Sequence, residues 1–111
     1  MGDFVLGAIT SPKNSERILV GDATDAAFRI PDVIDRTRGF IAEIKSSRSL
    51  DLTDQIGDFL RYAVNETPPL KFRLYVMQDT VLSDRLINAI VDSGSSVFNV
   101  TPNGIAARIL R

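Results

Sequence analysis

Residues 28–45 read FRIPDVIDRTRGFIAEIK, and apolar and polar side chains alternate on both sides of a polar stretch at residues 35–38. Alternation with a period of two is typical of β-strands, and a run of Asp, Arg and Thr between two such segments indicates a turn. We therefore predict a β-hairpin with Asp35 as a turn residue, in which Ile34 pairs with Gly39 across the turn.

This pairing places three charged side chains on one face of the hairpin. Asp32 then lies opposite Ile41 and Ile30 opposite Glu43, and paired residues share a face. Since side chains alternate between faces along a strand, Asp32, Glu43 and Lys45 project together. We expect the other face to form the core. It carries Val33, Phe40, Ala42 and Ile44. Charged groups that conflict with packing in this way concentrate at functional sites.

The remainder of the chain predicts helices that alternate with strands. Apolar residues recur at helical spacing from residue 56 to residue 63, and Thr53 or Asp51 can cap this helix, which runs to about Asn65. The further predicted elements are a strand at residues 70–77, a helix at residues 83–91 and a strand at residues 97–100.

This order of elements predicts an α/β fold with a mixed central sheet flanked by helices. A strand joined to the next through a helix usually lies parallel to it, whereas the two strands of a hairpin are antiparallel. We expect residues 1–111 to form a single domain. Residues 1–22 have weak periodicity, with a short element only near residues 17–20, and we interpret them as a possible remnant of a larger N-terminal region.

The composition limits the chemistry that this domain can perform. The chain has 111 residues, of which 44% are hydrophobic, a net charge of −1, and no cysteine or histidine. These counts exclude disulfides, zinc-finger spacing and every nucleophile–base pair built on Cys or His. Any catalysis must use the remaining polar side chains or a hard metal bound through oxygen. No apolar run approaches the roughly 18 residues of a membrane span.

Two short motifs stand in order on the two strands of the hairpin. Residues 31–32 are the only Pro-Asp pair of the chain, and residues 43–45, Glu-Ile-Lys, are its only acid-x-Lys triplet. Such a triplet alone arises by chance in roughly a third of chains this long. Together, the motifs resemble the PD-(D/E)xK nuclease superfamily, which has the restriction-endonuclease-like fold. The resemblance covers residues 28–100. Gln55 strengthens it, because many members place Gln at the start of the next helix in a QxxxY pattern, although Phe59 replaces the tyrosine here.

The resemblance implies that the hairpin presents Asp32 and Glu43 to a divalent metal, with Lys45 beside them. Carboxylates are hard oxygen ligands suited to Mg²⁺ or Mn²⁺, and the Ile44 carbonyl can join them. We expect Mg²⁺, with Mn²⁺ or Zn²⁺ as alternatives. Phosphodiester hydrolysis needs charge stabilisation and a nucleophilic water. Lys45 can orient or deprotonate that water, and Gln55 can hold the lysine or the water.

Basic residues flank these motifs. We interpret Arg36, Arg38 and Arg48 as contacts to the neighbouring phosphates of a nucleic acid. The alternative interpretation is a solvated hairpin edge, where basic side chains discourage sheet-to-sheet association.

A narrower resemblance joins residues 41–45, the helix that carries Gln55, and residues 72–76. These segments look like the restriction-endonuclease-fold toxin domains at the C-termini of bacterial polymorphic and contact-dependent growth inhibition toxins. The resemblance implies a metal-dependent nuclease, a hydrolase of tRNA or DNA, delivered as part of a larger secreted or surface toxin into the target-cell cytoplasm. It also implies a cognate immunity protein in the producing cell. Superfamily members often have an acidic residue before the hairpin, and Glu16 is the candidate here.

Less specific interpretations of the same residues stay open. Asp32 and Glu43 can pair with Lys45 in a surface ladder, which typically contributes under about 1 kcal/mol. Gln55 can be an ordinary first-turn helix residue, and Tyr62 is interpreted as a tyrosine at the edge of the core. The alternative functions are a non-catalytic binding or regulatory module on the same fold, and a DNA-repair or junction-resolving nuclease.

Overall fold

A five-stranded sheet with two helices forms the body of the molecule. The structure is a computed structural model that describes residues 16, 18–19, 28–100 and 106–110. The strands are β1 Ile18–Leu19, β2 Phe28–Arg29, β3 Val33–Asp35, β4 Phe40–Ile44, β5 Ser49–Leu50, β6 Lys71–Met77, β7 Val81–Leu82, β8 Ser96–Val100 and β9 Ala106–Leu110, and the helices are α1 Asp54–Asn65 and α2 Asp84–Asp92. Within these ranges, neither helix is long and apolar enough to cross a membrane.

The sheet is mixed, as predicted, in the order β3-β4-β6-β8-β9. β3 pairs with β4 and β9 with β8 in antiparallel fashion, while β4, β6 and β8 are parallel to one another. Each parallel step crosses over through one helix, α1 or α2. Because both crossovers advance in the same direction along the sheet, right-handed connections place both helices on the same face.

The helices begin and end where local chemistry predicts. The Thr53 side chain accepts a hydrogen bond of 3.2 Å from the Ile56 amide at the start of α1. The Ser83 side chain accepts one of 3.2 Å from the Leu86 amide at the start of α2. Both satisfy an amide that the helix leaves unpaired at its first turn. Gly94, with φ of 70°, follows α2 in the left-handed conformation that glycine adopts without strain.

Two apolar clusters lie on opposite faces of the sheet. The larger cluster is on the helix-covered face, and its buried members include Ile41, Ile56, Phe59, Phe72, Leu74, Leu86 and Ile90. The smaller cluster is on the other face and contains Val33, Phe40, Ala42, Tyr75 and Val100, with Ile44 packed against it. The prediction that this second face packs into a core is confirmed, but the larger core cluster lies on the helix-covered face. β4 is a central strand buried on both sides, so its faces cannot be ranked from polarity alone.

The hairpin is present, but its register differs from the prediction. Ile34 pairs with Ile41 and Asp35 with Phe40, so the turn occupies residues 36–39. Gly39 closes the turn with φ of +82° and donates its amide to the Asp35 carbonyl at 2.8 Å. A left-handed glycine is suited to the turn itself and not to the first paired position. Every partner thus moves by two residues, which leaves each side chain on its predicted face.

Three parts of the topology lie outside the sequence-based prediction. β9 adds a fifth strand to the sheet, and β5 and β7 form a separate parallel pair that ties residues 49–50 to residues 81–82. Pro31 separates β2 from β3, where one strand was expected; it has no amide hydrogen to donate to a sheet. β1 confirms the short element expected near residues 17–20. The other residues of the 1–22 segment, apart from Glu16, lie outside the described residues.

Candidate active site

The predicted site residues meet where β4 ends and β3 begins. Val33 pairs with Ala42, so the residue before Val33 in the chain, Asp32, lies beside the residue after Ala42, Glu43. Both are on the helix-covered face of the sheet. The carboxyl ends of parallel strands are where ligands bind in open α/β sheets, and β4 ends at this edge.

Asp32 and Glu43 hold each other in place through the backbone. The Asp32 amide donates to Glu43 Oε1 at 2.9 Å, and the Ile44 amide donates to Asp32 Oδ2 at 2.8 Å. Each carboxylate therefore has one oxygen committed to an amide hydrogen. The predicted pairs of Asp32 with Ile41 and Ile30 with Glu43 are wrong, but the corrected register brings the two acids closer together than predicted.

Lys45 and Gln55 complete the cluster. Lys45 Nζ lies 3.6 Å from Glu43 Oε2 and donates a hydrogen bond of 2.8 Å to Gln55 Oε1. Gln55 is in the first turn of α1, so the helix contacts the site directly. The Lys45 side chain is 25% exposed and that of Glu43 only 4%. This partial burial distinguishes the cluster from an exposed surface ladder.

The Glu43 carboxylate is electrostatically undercompensated. Burial, and then the nearby negative charge of Asp32, raise the pKa of Glu43 to about 7 against the opposing effects of the Asp32 amide and Lys45. Desolvation disfavours a charged carboxylate, and a like charge does the same. One lysine balances two acids, so the site favours either a proton or an additional cation.

The donor set fits a hard divalent cation. In the described part of the chain, no group of three or more Asp, Glu, His or Cys side chains could hold a metal. Two carboxylates and the Ile44 carbonyl are the available protein ligands. Ile44 directs its amide toward Asp32, and in a β-strand the amide and carbonyl of one residue point to the same edge. Mg²⁺ is usually bound through one or two carboxylates and several waters, which matches this set.

The structure does not bring Arg36 and Arg38 to the carboxylates. Both lie in the turn at the start of β4, and Arg38 is five residues, about 16 Å along the strand, from Glu43. Arg36 forms ion pairs of 2.8 Å with Glu16 and with Glu66. Glu16 is therefore at the turn end of β4 as well, away from the acids that it was expected to join.

Arg48 lies nearer to the site than the other two arginines. It follows Lys45 by three residues, its side chain is exposed, and its carbonyl accepts a 2.7 Å hydrogen bond from Val81. That bond fixes the loop between β4 and α1 at the same edge of the sheet. Its contact with phosphate, like those of Arg36 and Arg38, stays a prediction.

Asp35 ends β3 and so lies just before the turn, not within it as predicted, but its carboxylate accepts a hydrogen bond of 2.9 Å from the Arg38 amide inside the turn. Tyr62 packs against the larger core cluster, and its hydroxyl donates to Glu66 Oε1 at 2.9 Å.

Sequence reasoning missed an acidic residue in α1. Asp58 is 1% exposed and contacts both Arg29 and Arg61. The available signal was its position: it lies three residues after Gln55, on the same side of the helix, and directly before the core residue Phe59. An acid among core-facing residues indicates a specific partner, because buried charges are normally paired.

The mixed sheet, the crossover helices and the Asp-Glu-Lys cluster at the end of β4 define a domain of the restriction-endonuclease-like class. The chain belongs to the restriction endonuclease fold toxin 7 family, whose model matches residues 5–86. The match confirms the resemblance to restriction-endonuclease-fold toxins, and it identifies the class as nuclease-like toxins. No curated protein and no solved structure matches the chain.

Proposed function

We propose that this domain is a metal-dependent endonuclease that hydrolyses phosphodiester bonds in tRNA or DNA. The observation that carries the proposal is the convergence of Asp32, Glu43 and Lys45 at the end of β4, with Lys45 held by Gln55. Family membership supports a nuclease toxin, and the buried, undercompensated Glu43 beside Asp32 supports a cation between the two acids.

Asp32, Glu43 and the Ile44 carbonyl are the groups that would hold the metal, which we propose to be Mg²⁺, with Mn²⁺ or Zn²⁺ as alternatives. When bound, a divalent cation supplies positive charge against the phosphoryl oxygens and acidifies water. The Asp32 and Ile44 amides keep the two carboxylates in place, so little reorganisation is needed when the cation binds.

Lys45 is the proposed catalytic cation of the chain. As an ammonium, its Nζ orients the attacking water, whose proton passes to solvent; as a neutral amine, it takes that proton itself. In either case the water oxygen bonds to phosphorus while the ester P–O bond breaks. The leaving oxygen then acquires a proton from solvent. Gln55 fixes Lys45 through the 2.8 Å hydrogen bond, which keeps the ammonium group beside Glu43. A charge that is already fixed in position stabilises the transition state more than a mobile charge does, because it need not reorganise during the reaction.

Arg48 is the arginine we place nearest the scissile phosphate, and Arg36 and Arg38 could contact only phosphates further along the substrate. An exposed arginine forms bidentate contacts with phosphate. We further propose that a larger secreted or surface toxin delivers the domain into the target-cell cytoplasm. The producing cell then needs an immunity protein, which could cover the basic hairpin with an acidic surface.

The direct experiment incubates the purified protein with plasmid DNA and with total tRNA, in parallel, in Mg²⁺, Mn²⁺, Zn²⁺ or a chelator. We expect cleavage of one substrate, dependent on metal, and its loss in Glu43→Ala and Lys45→Ala. Expression of the wild type in bacterial cells should arrest growth, whereas Glu43→Ala should not. Cleavage that continues undiminished in both variants would contradict the assignment. A folded protein that neither cleaves nor gains stability from metal supports the non-catalytic module instead.

A further inference from the structure

Asp58 is a buried carboxylate that the proposed mechanism does not use. Its side chain has no exposed surface, and Oδ2 accepts a 3.0 Å hydrogen bond from Arg29 Nε. Oδ1 is bound by Arg61, whose side chain is half exposed and approaches from solvent. A buried ion pair is weak evidence for stability, because desolvation offsets much of the attraction. Its place in the fold is therefore more informative than its strength.

One face of α1 contacts both sides of the candidate site. Gln55 and Asp58 are three residues apart, and residues at that spacing are neighbours on a helix surface. Gln55 holds Lys45, while Asp58 holds Arg29. Two successive turns of the same rigid helix are thus connected to the lysine and to the segment that leads into the first acid.

The link from Arg29 to Asp32 is short and stiff. Only Ile30 and Pro31 separate the two residues. Proline fixes its own φ and restricts the residue before it to extended conformations. Pro31 is buried although Ile30 is half exposed, so the proline is held against the protein as well as being constrained in conformation. A displacement of Arg29 is therefore transmitted to Asp32.

We propose that Asp58 is a positioning residue that sets the place of Asp32 through Arg29. The inference rests on the proposed function, because it takes Asp32 as a ligand of the cation. Asp32 is fixed from the β4 side by the Ile44 amide and Glu43, and from the helix side by the Arg29–Asp58 pair. Arg61 pairs with the same carboxylate, and no hydrogen bond or ion pair among the described residues joins Arg61 to residues 28–32, so it provides the matched control.

The test measures Mn²⁺ binding directly, by the electron paramagnetic resonance signal of free Mn²⁺, at a temperature where circular dichroism shows each variant to be folded. Arg29→Gln should weaken Mn²⁺ binding about 10-fold or more, the lower end of the effect of groups that orient metal ligands. Arg29→Lys keeps the charge and should restore binding to within about threefold of the wild type. Arg61→Gln should leave the Mn²⁺ affinity within about twofold of the wild-type value.

Asp58→Asn supplies the second half of a double-mutant cycle. Added to Arg29→Gln, it should weaken Mn²⁺ binding little further, because both changes break the same link. Unchanged Mn²⁺ affinity in folded Arg29→Gln overturns the proposal, as does an equal loss in Arg61→Gln. Failure of the proposed function is distinguishable: in that case the wild type itself binds no Mn²⁺, or Glu43→Gln binds it as the wild type does.

Discussion

Strand β4 has a charged cluster at each end, and the two clusters are built in opposite ways. At the turn end, Arg36 contacts Glu16, Glu66 and the Tyr62 hydroxyl, and the side chains of the ion-paired residues are between 31% and 53% exposed. At the other end, Glu43 lies 3.6 Å from Lys45 and next to Asp32, and the Glu43 side chain is 4% exposed. At the turn end, solvent-exposed charges have close ion-pair partners. At the other end, the buried Glu43 carboxylate is only partly balanced by Lys45.

The pKa values of the two glutamates shift in opposite directions. The Arg36 guanidinium and the Tyr62 hydroxyl lower the pKa of Glu66. Burial and the Asp32 charge raise the pKa of Glu43 to about 7. Both clusters contain two acids and a base, so composition alone cannot separate them. The difference teaches that burial and the count of partners, not the presence of charge, distinguish the proposed active-site end of the strand from the turn end.

The largest expected effect separates the two ends by activity. Glu43→Gln removes a proposed metal ligand with little change in size and should reduce cleavage at least about 1,000-fold, since a bound metal contributes several kcal/mol to the transition state. Glu66→Gln is the matched change at the turn end, and its cleavage rate should stay within about twofold of the wild-type rate. Initial cleavage rates in Mg²⁺ measure both. Equal losses in the two variants would show that the ends of β4 do not differ in function.

Much of this contrast was predictable from local patterns. The period of two in the strands places Asp32, Glu43 and Lys45 on one face whether the hairpin register is the predicted or the observed one, and the cap and apolar spacing place Gln55 at the start of α1. These patterns depend on neighbours within a few residues.

Long-range contacts could not be predicted in the same way. Arg36 meets Glu16 and Glu66, which are 20 and 30 residues away, and Arg29 meets Asp58 across 29 residues. The left-handed Gly39 in the turn shifted the register by two residues. β9 was not predicted, because no pattern in the sequence indicated a strand after β8. Such pairs follow from the packing of the helix against the sheet, which periodicity does not specify.

The second prediction concerns pH and the metal-free protein. A raised carboxyl pKa means that the folded state binds the proton more tightly, so the stabilisation is complete below pH 4.5 and is lost as pH rises toward 7. The difference between the two pKa values corresponds to about 3 kcal/mol. Glu43→Gln resembles the protonated acid and should therefore gain up to about 3 kcal/mol over the wild type between pH 4.5 and pH 8.

Denaturant unfolding in a chelator at several pH values measures this difference, because the other ionisable groups titrate alike in both proteins. Mn²⁺ added at pH 8 should raise the free energy of unfolding of the wild type and leave that of Glu43→Gln unchanged. A wild type and variant with parallel stability curves in the chelator would mean that Glu43 is not undercompensated.

The third prediction separates the arginines at the two ends. Arg48→Ala should weaken nucleic-acid binding about fivefold, close to 1 kcal/mol, and lower the slope of log K against log salt by about 1. Arg38→Ala should have the smaller effect, because Arg38 lies at the turn and pairs with Asp35 at 3.5 Å. Binding is measured with the Glu43→Gln protein, in which we expect cleavage to be too slow to consume the substrate. A larger loss of binding in Arg38→Ala than in Arg48→Ala would indicate instead that the substrate lies along the turn.

The smallest effect is expected in the stability of the turn-end cluster. The lowered pKa of Glu66 means that its ion pair stabilises the fold above pH 4.5 and that this contribution is lost as pH falls below that value. Because the side chains are exposed to solvent, Glu66→Gln should cost under about 1 kcal/mol at pH 7, less in 1 M salt, and progressively less as the pH falls below 4.5. This pH dependence has the opposite sign to that of Glu43→Gln, so the same unfolding series tests both ends of β4. A gain in stability of Glu66→Gln at high pH would show that the turn-end acids are also undercompensated, and the contrast between the two clusters would then disappear.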